Sequence, residues 1–266
     1  MMRSLWTAAT GMSAQQFNVD VISNNLANVN TTAYKKERAE FKDLLYETFN
    51  RAYMLDGVGR PVNLQVGHGT KSVAVVKDFS SGSFQQTNNP LDFAIEGEGF
   101  FMVLGPRGEV NYTRDGSFKL SITDQGKMLT TAEGYPVLDD SEAEIILDVD
   151  VSKLEVSVEG ELFYINEDGE SVSLGQRIGI VKFENPQGLE SMGSNLYAET
   201  SASGMPVPDD ELGDRSIIHQ KFLESSNVQI VEEMVKLIIA QRAYEINSKA
   251  IQSSDDMLGI ANNLKR

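Results

Sequence analysis

The chain has 266 residues, 41% of them hydrophobic, a net charge of −16 and no cysteine. That length allows one or two domains with a sizeable core. The missing cysteines exclude disulfides, zinc–thiolate sites and cysteine nucleophiles, and the two histidines, His68 and His219, lie too far apart in sequence to suggest a metal.

The first predicted element is a helix over about residues 3–29. Leu5, Met12, Val19 and Leu26 recur every seven residues, and Ala8, Gln15, Ile22 and Val29 form a companion row three residues later. This is a heptad seam with one polar member, and no proline interrupts it before Pro61. Four asparagines, Asn24, Asn25, Asn28 and Asn30, crowd its end, where their side chains can satisfy open backbone groups.

Residues 50–70, "NRAYMLDGVGRPVNLQVGHGT", show no lasting periodicity and read as an extended or irregular arm. Then come short apolar or alternating runs, "DFAIEGEGFFMVL", "VNYTRDGSFKLS", "GKMLTTAEGYPVL" and "KLEVSVEGELFYI", separated by turn signals such as Asp115-Gly116 and Glu159-Gly160. They predict an all-β domain of short antiparallel strands. The last element is a helix from about 216 to 264, roughly 70 Å long. Its apolar row is Ile230, Leu237, Tyr244, Ile251 and Leu258, while Glu233, Ala240, Asn247, Ser254 and Ala261 make a small or polar row that allows close approach.

The expected fold is therefore α+β. Long N- and C-terminal helices pair in a coiled-coil-like helical domain, and an all-β domain lies between them in sequence. The segments are 1–49 (helix and following motif), 50–70 (arm), 71–215 (β domain) and 216–266 (C-terminal helix). Residues 1–50 and 216–266 are each electrically neutral, so the middle carries the whole excess of 28 acidic over 12 basic groups. Neutral ends tolerate close packing of like copies, and an acidic middle repels nucleic acid. No stretch reaches the roughly 20 apolar residues of a membrane span, and "LWTAATGMSAQQFN" makes a poor secretory leader.

Candidate chemistry is weak by comparison. "GEGFF" at 97–101 lacks the full glycine pattern of a phosphate loop and no helix pattern follows it. "GHG" at 67–69 has no second ligand nearby, and His219 reads as a surface or interface residue at the start of the long helix. The acidic pairs Asp139/Asp140, Asp148/Asp150, Asp209/Asp210 and Asp255/Asp256 arise readily in so acidic a chain, and "NEDGE" at 166–170 lacks calcium-loop spacing. No catalytic, cofactor or metal site is expected. The helical rows point instead to packing, either against each other or against further copies.

Three segments then resemble one family. "SLWTAATGMSAQQFNVDVISNNLANVNTTAYKKERAEF" is similar to the N-terminal signature of bacterial flagellar rod and hook axial proteins, whose hallmark is matched by Ala27, Asn28, Thr31, Ala33, Tyr34 and Lys35, with Ala33 where the family has glycine. "LESSNVQIVEEMVKLIIAQRAYEINSKAIQSSDDMLGIANNL" resembles its closing motif, and the middle resembles its shared β domain. Within the family, Leu64, Gln65, Gly67 and Gly69 in the arm resemble the distal-rod members.

The resemblance implies a self-assembling tubular drive shaft that crosses the periplasm and passes torque from motor to hook. It implies like copies in a helical tube, other rod proteins and the hook protein end to end, surrounding basal-body ring proteins, and leaderless export through the flagellar type III apparatus. The heptad rows would carry self-assembly, the arm would wedge between subunits and stiffen the shaft, and Asn28 would lie in a turn shared between neighbouring subunits. The alternatives are a proximal rod or hook protein, a peptidoglycan-binding or peptidoglycan-cleaving rod-associated protein, or a β-domain binding module.

Overall fold

The structure is a computed structural model that describes residues 2–50, 53–55, 58–60, 63–123, 126–147, 149–166 and 170–263. It has an N-terminal helix, a C-terminal helix and a middle of short antiparallel strands, an α+β fold as expected. Two compact units divide it. The first contains residues 1–27, 37–77 and 229–266, and the second residues 28–36 and 78–228.

In the first unit, α1 (Met2–Ala27) pairs with α2 (Ile230–Asn263). The side chains at the contact are small. Ala8 and Ala14 of α1 are buried, as are Ala240 and Ser254 of α2. Ser4 and Ser254 share a hydroxyl hydrogen bond of 3.2 Å. A Cβ at Gly11 would lie 2.9 Å from the Asn247 amide nitrogen, so glycine there leaves room for the Asn247 side chain.

Among the described residues six strands complete this unit: β1 (Glu37–Asp43), β2 (Tyr46–Asn50), β3 (Tyr53–Leu55), β4 (Val58–Arg60), β5 (Leu64–Gly67) and β6 (Thr70–Lys77). They pair antiparallel as β1 with β6, β2 with β5 and β3 with β4, an order that builds a two-stranded ribbon. The arm, expected to be extended or irregular, is extended, and its described residues are paired strand except 63, 68 and 69. Positions 51, 52, 56, 57, 61 and 62 of that arm lie outside the described residues. The ribbon also begins earlier and ends later than the arm expected over 50–70. Each half supplies a cross-strand partner for the other, which a reading of local periodicity does not register.

The second unit is the β domain. Its main sheet has six strands in the spatial order 190–193, 196–198, 110–113, 100–104, 180–182 and 207–208, all antiparallel. Two three-stranded sheets are built from 119–123, 126–130 and 146–147, and from 154–156, 161–165 and 171–177. The larger core joins Phe93, Ile95, Phe101, Phe118 and Leu129 to Ile145, Leu162 and Ile178. A smaller one stacks Phe100, Tyr112, Phe183 and Tyr197 edge to face.

The C-terminal helix starts at Ile230 rather than at about 216. Residues Ile217–Gln220 pair with Phe93–Glu96, and Phe222–Glu224 with Phe84–Gln86. The apolar positions before Ile230 follow no heptad, and open strand edges in the β domain claim them. His219 accordingly sits on a strand, 2.7 Å from the Glu96 carboxylate, and not on the helix. Residues 264–266, where the predicted helix ends, fall outside the described residues, as do Asp148 and residues 167–169 of "NEDGE".

Candidate assembly site

Burial within the helix pair falls on the small or polar row of α2 rather than on its large apolar row. Glu233, Ala240 and Ser254 are buried, Asn247 is half-buried, and Ala261 is exposed. Leu237, Ile251 and Leu258 are half-buried, and Ile230 and Tyr244 are exposed. On α1, Leu5, Met12, Val19 and Leu26 are all half-buried, while Ala8 and Ile22 of the companion row are buried. Small side chains win the centre of the pair because they let the two backbones approach, and the larger ones flank it. Gln16, Val19, Gln241, Tyr244 and Glu245 line a groove of about 380 Å³ along one flank.

The far side of α2 is apolar as well. Val231, Met234, Val235, Ile238, Ile239 and Ile246 are exposed, Val231 by 75%. At 3.6 residues per turn Val231, Val235 and Ile238 lie opposite the Glu233–Ala240–Ser254 stripe, and Met234, Ile239 and Ile246, each next in sequence to a residue of the small or polar row, lie on the flanks of that stripe. Nothing in the periodic rows singles this face out, because the apolar residues of α2 are spread around its circumference rather than gathered in one row.

A polar lock closes the helix pair at one end. Asn25 is 1% exposed, and its side-chain amide pairs with the backbone of Glu37 in both directions, Nδ2 donating to the carbonyl and Oδ1 accepting from the N–H, each at 2.8 Å. Its Nδ2 also donates to the Glu233 carboxylate at 3.2 Å, and Lys236 holds the other Glu233 oxygen at 2.6 Å. The crowding of asparagines at the end of α1 does not by itself set Asn25 apart. The signal that separates it is position, four residues after Val21 and eleven after Ala14 on the buried face of α1.

The motif over 27–35 divides at Asn28. Ala27 is the last residue of α1. Asn28 closes a local turn in the β-domain unit, its carbonyl accepting from the Thr31 N–H at 3.1 Å and its Oδ1 from the Thr31 hydroxyl at 3.2 Å. Ala33 has φ +54° and is buried, and its N–H donates to the Glu224 carbonyl at 2.8 Å. The left-handed conformation is what makes glycine the apt residue there.

Tyr34 is buried, and beside it Lys35, Arg114 and Glu224 form a buried ionic cluster, each about 1% exposed. Lys35 Nζ lies 2.7 Å from one Glu224 oxygen and donates to the Ser80 carbonyl at 2.9 Å. Arg114 Nε donates to the other Glu224 oxygen at 3.2 Å, and its Nη2 donates to the carbonyls of Gly97 and Ile95. Burial, reinforced by the Arg114 charge, pushes the Lys35 ammonium down to about 8 against the pull of Glu224.

In the ribbon, Leu64 and Gln65 are exposed, and Gln65 Nε2 donates to Thr48 across the ladder at 3.1 Å. Gly67 packs on the Tyr46 ring, where a Cβ would come within 3.3 Å. Gly69 has φ +106°, and a Cβ there would collide with Thr10 of α1. Among the described residues, no three His, Asp or Glu side chains gather as a metal site, and no helix is long and apolar enough to cross a membrane.

Family comparisons match this geometry in three blocks. A model of the flagella basal body rod protein covers residues 5–35, one of the hook protein FlgE/F/G D1 domain covers 94–164, and one of the FlgEFG rod protein C-terminal region covers 219–264. The flagellar basal-body rod protein FlgG of Borreliella burgdorferi is 52% identical over the full length of both chains. The chain belongs to the FlgG family of flagellar basal-body rod proteins. Its Caulobacter vibrioides relative of the same name is 42% identical over 99% of this chain and all of that one, and its Bacillus subtilis relative 37% over the full length of both. In this FlgG-family chain the three matched blocks meet at one point, because Lys35, Arg114 and Glu224 come one from each.

Proposed function

We propose that this rod protein is a structural subunit of the distal rod, polymerising through the outward face of α2 into a tubular drive shaft that crosses the periplasm and transmits torque from motor to hook. The observation that carries this reading is the set of exposed large apolar side chains on α2, lying opposite the stripe that packs on α1 and along its flanks. Burying six such side chains contributes on the order of 10 kcal/mol per subunit. That is comparable with the roughly 4–15 kcal/mol of motional freedom lost on association. Head-to-tail contacts that do not close on themselves extend into an open helical tube.

Self-assembly draws on both helices. Leu5, Met12, Val19 and Leu26 of α1 and Ile230, Leu237, Tyr244, Ile251 and Leu258 of α2 flank the small-residue seam, where a neighbouring helix can reach them. Leu64, Gln65, Gly67 and Gly69 belong to a ribbon that wedges between subunits and stiffens the shaft. The chain passes through the flagellar type III export apparatus, joins other rod proteins and the hook protein end to end, and turns inside the basal-body rings. It needs no cofactor and performs no catalysis. Its closest acidic groups support that reading, since Asp209 is paired with Lys182, Asp140 and Asp210 with Arg177, and Asp210 with Arg215 as well.

The test is concentration-dependent polymerisation of the full chain, followed by electron microscopy beside a peptidoglycan-degradation assay. Tubes without lysis are expected. Ile238→Asp combined with Ile239→Asp should leave the helical content unchanged and abolish the tubes. Wild-type tubes from that variant would overturn the assignment of the face, and monomers with lysis would favour the wall-cleaving alternative.

A further inference from the structure

Beside the ionic cluster of the β domain lies a cavity of about 430 Å³, lined by Phe79, Ser80, Gly97, Glu98, Arg114 and Gln187 among others. Arg114 is 1% exposed, yet it forms part of this wall. Its Nε and Nη2 are committed to Glu224 and to the carbonyls of Ile95 and Gly97. Its Nη1 has no hydrogen-bond partner among the described residues, nor is it a fully enclosed orphan, so it is left facing the open space. The guanidinium is held in place by the Phe100 ring, 5.6 Å from its centre.

Charge points the same way. Two cations, Lys35 and Arg114, share the single carboxylate of Glu224, and Asp78, whose charge also acts on Lys35, is itself paired with Lys36, so positive charge outnumbers negative around the cluster. A buried guanidinium with a free edge strongly favours a carboxylate, which would accept a charge-assisted hydrogen bond from it. Ser80, Ser81, Asn185 and Gln187 border the cavity as uncharged polar groups, and Glu98 is the one acidic residue on its wall.

We propose that this cavity is a carboxylate-binding site built on Arg114, filled in the assembled state by an acidic side chain of a second copy of this chain. The choice of a second copy rests on the self-assembly reading. The affinity for a carboxylate does not.

The experiment titrates acetate, with acetamide as the neutral control at matched ionic strength, into the full-length chain below its polymerising concentration. It is read by NMR at the amides of Ser81, Gly97 and Gln187. Saturable shifts with acetate alone are expected. Glu98→Gln, which removes a competing charge at the rim, should tighten acetate about threefold. Gln187→Glu should supply a tethered carboxylate, raise the melting temperature and remove the acetate response. In polymerisation, saturating acetate and Gln187→Glu should each slow tube growth. An acetate response in monomers with unaffected growth would overturn the second copy as the source. No saturable response, with Gln187→Glu neutral or destabilising, would overturn the site itself. Failure of the wild type to polymerise at all would count against the rod-assembly reading while leaving the acetate result standing.

Discussion

Ala33 sits where the family pattern has glycine, and its φ of +54° shows why. An L-residue with a Cβ costs about 1 kcal/mol in the left-handed region. The position is kept there by its 2.8 Å hydrogen bond to the Glu224 carbonyl. Ala33→Gly should therefore stabilise the full chain by up to about 1 kcal/mol in urea unfolding, and a destabilised variant would mean that packing around the buried methyl outweighs the strain. Lys35 gives a prediction in pH. Its folded-state value of about 8 lies below the ordinary 10.5, so the folded chain sheds this proton first. Between those values the unfolded state binds more protons, and stability gains a component that rises with pH. Urea titrations at pH 7 and pH 9.5 should show that gain in the wild type and lose it in Lys35→Met. An equal pH response in both would show that Lys35 does not titrate there. At this scale the sequence was only partly legible. It raised the question of Ala33 and marked Lys35 as a motif residue, but it could not pair Lys35 with Glu224, 189 positions away.

Among the elements, the two helices and the short strands followed from period-seven and period-two patterns, because those periods are set by local geometry. The boundaries did not. Residues 217–224 carry apolar side chains ahead of a strong heptad, and only the waiting edges of 84–86 and 93–96 turn them into strands. The helix seam shows the same limit. A heptad reveals that a face is apolar, whereas the choice of the Ala240 and Ser254 row for the close contact depends on what the partner helix presents, here Gly11 and Ser4. The ribbon was recognised as extended but not as paired. Its exposed Leu45, Tyr46, Phe49 and Leu64 leave apolar surface along its length. If this ribbon stiffens the shaft, deletion of residues 50–66 should still allow tubes but give curved or flexible ones by electron microscopy. A straight, unchanged tube would show that the ribbon does not stiffen the shaft.

For the whole molecule, the division of labour is legible in the charge distribution of the sequence. Acid is concentrated between residues 51 and 215, and the neutral ends supply both helices. The arrangement that charge could not reveal is the meeting of three distant motifs around Glu224, with Lys35 and Arg114 on its two oxygens. That cluster assigns the N-terminal motif an internal duty, holding its own chain together, in addition to any contact with a neighbour. It leaves the outward face of α2 as the surface most in need of a partner. The direct measurement is a helical reconstruction of the assembled tube at side-chain resolution. Val231, Val235, Ile238 and Ile239 are expected to be buried against a neighbouring subunit. Tubes in which these four side chains face water, with subunits joined through other surfaces, would contradict that arrangement.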